Sequence, residues 1–233
     1  MNRPRPVVVI VVVATVVALA LAVATFYPSE PAIDHSAYGY SVAVGTNATL
    51  TNVTLVVPLP TAPDGGSPVA DAVRAGNAST PDGWRYAVVE RENALALRIE
   101  ADEVVAQRRP DGRRDSAYLL GTTVRTPTVI DTAEPFDAEP TVAPPNALRE
   151  RPCPNQASPE PDPTQTCFAY DARVYATYDA PADALVSVRL VHNGVNVYEG
   201  RGHEMYYERL SVVYHGSQEG WTTVPGFAST ERP

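Results

Sequence analysis

Ala184-Leu185-Val186-Ser187-Val188-Arg189-Leu190-Val191-His192-Asn193-Gly194-Val195-Asn196-Val197-Tyr198-Glu199 reads as two strands, Ala184 to His192 and Val195 to Glu199, flanking Asn193-Gly194. That dipeptide favours positive φ at both central positions of a two-residue turn, so it predicts a β-hairpin and antiparallel pairing. The neighbouring segments agree. Upstream, Phe168 to Tyr178 puts Phe168, Tyr170, Ala172, Val174 and Ala176 on one side of a strand. Downstream, Glu204 to His215 and Gly220 to Val224 read as a closing pair. Between Ala94 and Ala101, Leu95, Leu97 and Ile99 alternate with Ala96, Arg98 and Glu100, the pattern of a sheet with one wet face. Glu92-Asn93 joins this strand tightly to Trp84–Arg91. Leu50 to Val57 has its more apolar face at Val53, Leu55 and Val57 and ends at Pro58 and Pro60. Tyr38 to Val44 and Tyr118 to Arg125 add two further strands.

One helix is expected from Ser67 to Gly76. Ser67 suits the N-cap, Pro68 the first helical position and Gly76 the C-terminal stop. Arg108 to Asp115 reads as a charged loop, and residues 126–166, rich in proline, as a long surface excursion. About nine or ten short strands with turn-rich spacing predict a mainly-β domain, an antiparallel sandwich or barrel-like fold, over residues 37–233.

Val7 to Tyr27 carries no charge. As a helix it spans roughly 31 Å, close to the thickness of a bilayer core. Arg3 and Arg5 precede it and Glu30 and Asp34 follow, so the positive-inside rule places residues 1–6 in the cytoplasm and the rest outside. Residues 28–36 read as a linker. Ala22-Val23-Ala24 also fits a signal-peptidase site, which gives the alternative of secretion after cleavage near Ala24. A pilin-like subunit would carry a basic, glycine-containing processing site, where Arg3-Pro4-Arg5-Pro6 stands instead.

The net charge is −9, and the exported part is more acidic still once Arg3 and Arg5 are set aside. That argues against nucleic-acid or anionic-lipid binding, which need basic patches. All 18 basic residues are arginine. This lysine-free, acidic composition, rich in Ala, Val, Asp and Pro, resembles exported proteins of halophilic archaea. The resemblance implies a habitat at molar salt, where a Debye length of about 3 Å screens repulsion between surface carboxylates. It implies no activity.

Cys153 and Cys167, the only cysteines, bracket a proline-rich segment and are expected to form a disulfide outside the cell. Asn47-Ala48-Thr49, Asn52-Val53-Thr54 and Asn77-Ala78-Ser79 match the N-glycosylation acceptor pattern. His203, His215 and Glu204, with His192 and Glu208 nearby in sequence, are the candidate metal ligands, but their spacing matches no zinc signature, and neither a metal nor a cofactor is expected. Nucleophile elbows, phosphate loops and dinucleotide fingerprints are absent from the sequence. Tyr170, Tyr175, Tyr178, Tyr198, Tyr206, Tyr207, Tyr214 and Trp221 cluster late in the chain. They suit either strand interiors or a face that binds glycans or other envelope proteins.

Two functions follow as expectations. One is a single-pass envelope protein whose external domain binds, spaces or scaffolds. The other is a tethered or secreted hydrolase in which a histidine meets a carboxylate. The topology is tested by protease added to intact cells. It is expected to degrade residues 37–233, and full protection would contradict the orientation.

Overall fold

The computed structural model describes residues 32–91, 94–106, 116–144, 147–153, 165–200 and 202–231. The apolar segment 7–27 and the charged loop 108–115 lie outside the described residues. No helix among the described residues is long and apolar enough to cross a membrane.

The chain is mainly antiparallel β. Its strands are β1 (Ile33–Thr46), β2 (Leu50–Pro58), β3 (Trp84–Arg91), β4 (Ala94–Val104), β5 (Ser116–Thr126), β6 (Arg149–Arg151), β7 (Gln165–Asp179), β8 (Leu185–Tyr198), β9 (Gly202–His215) and β10 (Gln218–Glu231). They form one open sheet in the order β3-β4-β2-β7-β10-β9-β8-β1-β5, with β6 added beside β7. Strand β1 begins at Ile33, so the last part of the expected linker is already paired with β8.

Alternation explains which faces are buried. Tyr38, Tyr40, Val42 and Val44 of β1 point inward, between Gly39, Ser41, Ala43 and Gly45. Val53, Leu55 and Val57 of β2 and Leu97, Ile99 and Ala101 of β4 do the same, as do Val186, Val188 and Leu190 of β8. All belong to one hydrophobic cluster. Burying each large aliphatic side chain stabilises by about 1.5–3 kcal/mol before the entropy of ordering it is counted.

Among the described residues two short helices are present, where one short helix is expected from the sequence. In α1 (Pro68–Arg74), Ser67 Oγ accepts from the Ala70 amide at 3.1 Å, Pro68 opens the first turn, and Gly76 takes φ +77° beyond the last. The second, α2 (Pro135–Ala138), lies within the segment read as an irregular surface excursion. That reading also fails for burial. Ile130, Val142 and Ala143 are all buried, and Thr141 bridges to Thr61.

The hairpin expected at Asn193-Gly194 is not there. Strand β8 runs unbroken through both residues, paired on one side with β1 and on the other with β9. Neither residue has positive φ. Gly194 lies directly opposite Tyr206, whose ring occupies the space a Cβ would need. Glycine is required there by close approach and not by a turn. Gly39 likewise lies under the side chain of Asn193. The chain reverses from β8 to β9 after Tyr198, which pairs with Gly202, and Gly200 has φ +68°.

Gly194→Ala is therefore expected to destabilise the domain by roughly 1–3 kcal/mol through overpacking against Tyr206, read from denaturant unfolding. Inserting two residues between Asn193 and Gly194, harmless in an exposed turn, is expected to abolish cooperative unfolding. A stable insertion variant would restore the turn.

Candidate functional site

Two constellations of polar and aromatic residues stand out, one inside the domain and one on its outer face. The inner one lies where β8 and β9 carry polar residues at inward positions. Along β8 the inward series Val186, Val188, Leu190 continues as His192, Gly194, Asn196. Along β9 it runs Tyr206, Glu208, Leu210. His192, Asn196 and Glu208 are all buried. Each meets backbone of the 127–144 segment.

Glu208 accepts the Val142 and Ala143 amides, one on each carboxyl oxygen, both at 2.8 Å. Asn196 imitates a backbone bridge: its Nδ2 donates to the Ile130 carbonyl at 2.8 Å and its Oδ1 accepts the Ile130 amide at 3.0 Å. Ser36 Oγ donates to the same Oδ1. The Tyr206 hydroxyl donates to the Pro140 carbonyl at 2.7 Å. His192 places Nδ1 2.9 Å from the Gly39 carbonyl and Nε2 2.8 Å from the Pro140 carbonyl. Glu139 receives the Tyr38 hydroxyl and the Asp131 amide.

Burial pushes the Glu208 carboxyl up to about 7, against the opposing pull of the two amides. Burial also lowers the His192 ring to about 4, although the two carbonyls it faces favour the charged form. The ring is thus neutral at pH 7 and enclosed; its single N–H serves one of the two carbonyls, and Nε2 also lies 3.1 Å from the Tyr206 hydroxyl.

The hydrolase expectation required a histidine and a carboxylate meeting in a pocket. His203 and His215 sit at opposite ends of β9, about 40 Å apart along the strand at about 3.3 Å per residue. Glu204 accepts the Tyr198 hydroxyl at 2.6 Å. Among the described residues no group of three metal-ligating side chains comes together. His192 and Glu208 are opposite one another on β8 and β9, but both are committed to backbone.

The outer constellation lies on the far face of β3, β4, β2, β7 and β10. Register places Ala87, Arg98, Val56, Tyr175 and Trp221 in one row across these five strands. Trp221 is 37% exposed, and the Tyr175 ring lies 5.4 Å from it. The Arg173 guanidinium is 4.9 Å from the indole centroid and that of Arg91 is 5.1 Å away. Arg91 belongs to β3, four steps from β10 in the sheet, where flat strands would be about 19 Å apart. The edge of the sheet therefore curls across this face. A groove of about 810 Å³ results, walled by Thr54, Thr177, Arg91, Arg98, Tyr175 and Trp221.

The other aromatic residues of the late cluster divide between structural duties. Tyr170, Tyr178, Tyr206 and Tyr214 are in the core. Tyr207 receives a 3.4 Å contact from Arg189. Cys153 and Cys167 form the disulfide, with Cα atoms 5.2 Å apart. Of the acceptor asparagines, Asn52 and Asn77 are exposed, whereas Asn47 uses its Oδ1 to accept the Leu185 amide at 2.7 Å. Asn52 sits at φ +56° beside an irregularity in the β2–β7 pairing and donates to Asp179.

Comparison with protein-family models, curated proteins and solved structures finds no match to this chain.

The inner constellation predicts a pH signature. In the fold Glu208 keeps its proton up to about pH 7, while an unfolded carboxyl gives it up near 4.5. Its contribution is fully present below 4.5 and is lost as pH rises through 7. His192 acts oppositely: acidification from 6.5 to 4 protonates the unfolded ring only, so stability falls. The two slopes cancel in part between 4.5 and 6.5. Replacing Glu208 by Gln isolates one of them. The stability advantage of wild type over Glu208→Gln in urea unfolding is expected to shrink by up to about 3 kcal/mol from pH 4.5 to 7. A constant difference would show that the carboxyl titrates normally.

Proposed function

We propose that this chain is a single-pass envelope protein whose external domain is a binding module, with the groove around Trp221 as its binding face. In this reading residues 7–27 cross the membrane with the N-terminus inside. The length and neutrality of that segment support the placement. The Cys153–Cys167 disulfide supports an oxidising compartment. The acidic, lysine-free composition supports life at high salt.

The domain is read as a β-sandwich. Strands β9 and β10 pair only over Tyr206–Leu210 and Gly226–Thr230. Beyond that, β9 stays with β8 and β10 stays with β7, while both halves feed one core. Tyr40 of β1 reaches the Pro58 carbonyl of β2 at 2.9 Å, and Tyr178 of β7 meets Tyr214 of β9 edge to face. These contacts suit two facing sheets.

The observation that carries the binding role is the exposed Trp221 with Tyr175 and two arginines in a concave face. An indole so placed has no core to support, and tryptophan, tyrosine and arginine are the residues that dominate binding energy at interfaces. The hydrolase alternative lacks comparable support, because the enclosed His192 offers no free nitrogen to a substrate.

The test is binding of the full-length protein, held in lipid nanodiscs that occupy residues 7–27, to isolated cell envelopes of its source. Trp221→Ala with Tyr175→Ala is expected to weaken retention at least tenfold while leaving the unfolding midpoint within a few degrees. Unchanged retention would remove the groove from the binding role.

A further inference from the structure

The fold uses the three Asn-x-Ser/Thr sequons in three different ways. Asn52-Val53-Thr54 lies within β2, which pairs with β4 on one side and β7 on the other. Val53 is buried opposite Ala101, and Asn52 Nδ2 donates to Asp179 at 2.8 Å. Asn47-Ala48-Thr49 is the whole connection between β1 and β2. It is tied to the start of β8: the Asn47 amide donates to the Leu185 carbonyl at 3.3 Å, and Asn47 Oδ1 accepts the Leu185 amide at 2.7 Å. Asn47 itself is only half-exposed.

Asn77-Ala78-Ser79 is placed otherwise. It follows α1, where Gly76 turns the chain out of the helix at φ +77°. Its backbone is anchored. The Asn77 amide donates to the Ala72 carbonyl at 2.9 Å, the Asn77 carbonyl accepts the Thr122 hydroxyl at 3.0 Å, and Ser79 bridges to Gly121 of β5. Its polar side chains are not anchored. Asn77 and Ser79 are both exposed, and among the described residues neither side chain has a hydrogen-bond partner. The space beside them is open, since a Cβ on Gly76 would meet nothing within 4 Å.

The cost of presenting each sequon to an enzyme follows. Strand β5 is an outermost strand of the sheet, and the third sequon touches it through one bridge. Releasing that bridge is a local opening. Freeing Val53 and Thr54 means pulling β2 from between its two neighbours, which approaches global unfolding.

Resting on the placement of residues 37–233 outside the membrane, we infer that Asn77 is an N-glycosylation site, while Asn47 and Asn52 keep their amides for the fold. The donor is an oligosaccharide activated on a membrane lipid phosphate. A bond forms between the anomeric carbon of its first sugar and Asn77 Nδ2. The bond from that carbon to the phosphate oxygen breaks, the lipid phosphate leaves with the electron pair, and Nδ2 gives up one proton. The backbone bonds of Asn77 are untouched. The same sugar on Asn52 would crowd the Asp179 carboxylate, and on Asn47 it would load an amide held against Leu185.

The test is peptide mapping by mass spectrometry of full-length protein purified from its source. Tryptic peptide 75–85 contains Asn77 and no other asparagine, whereas Asn47 and Asn52 lie together upstream of Arg74. A glycan is expected on Asn77 in most copies, with occupancy at least tenfold lower on Asn47 and Asn52. Ser79→Ala is expected to abolish the addition and Ser79→Thr to keep it. Ser79 meets β5 through its backbone alone, so both variants should unfold within a few degrees of wild type.

An unmodified peptide 75–85, equal occupancy of Asn47 or Asn52, or an addition that survives Ser79→Ala would each overturn the inference. If peptide 75–85 is unmodified while protease still reaches the domain on intact cells, the external placement stands and only the glycan site is wrong. Protection of the domain would remove the placement and the glycan site together.

Discussion

An irregular segment cannot be buried against a sheet unless its backbone amides and carbonyls find partners. This constraint governs the inner end of the domain. Residues 127–144 have no ladder to pair with, apart from the single bridge between Thr61 and Thr141. The sheet answers with side chains at positions that would otherwise hold valine or leucine. Glu208 takes two consecutive amides, Asn196 closes a bridge on Ile130, and Tyr206 and His192 converge on the Pro140 carbonyl. A buried group left without its partner costs about 1–3 kcal/mol, and more if charged. These side chains and the segment are therefore interdependent. The same clamp sets the outer surface, because Val142 and Pro144 form a wall of a cleft between β2 and β7.

Close packing of rings over glycines is the second structural habit. Tyr206 covers Gly194 and Tyr170 covers Gly226, each as a direct cross-strand pair. In both cases the glycine lets a large ring lie flat along the sheet, so the ring buries its area without separating the strands. Tyr206 joins the two habits, with its ring over glycine and its hydroxyl on the Pro140 carbonyl.

What could be read from the sequence was what local chemistry dictates. Ser67, Pro68 and Gly76 delimit α1 because cap and stop residues act within a few positions. Leu95, Leu97 and Ile99 mark β4 because a half-buried strand must alternate. Asn193-Gly194 misled because two physical needs select the same residue: a turn with positive φ and a strand position beneath a ring both call for glycine. The signal that separates them was present. Val186, Val188, Leu190, His192, Gly194 and Asn196 keep one parity across the dipeptide, as an unbroken strand requires and a two-residue turn does not. The groove was not legible in this way. Tyr175, Trp221, Arg91 and Arg173 meet only because β7 lies beside β10 and the β3 edge curls across the face. Both depend on strand order, which no local pattern encodes. The disulfide was legible because only two cysteines exist.

The central claim is that Glu208 and its neighbours hold the 127–144 segment as an integral part of the domain. Native-state hydrogen exchange at the Val142 and Ala143 amides measures this directly. The account predicts that both exchange only through opening close to global unfolding, as slowly as amides in the middle of β8. Exchange at the rate of an exposed loop would show that the carboxyl does not hold them, and would contradict it.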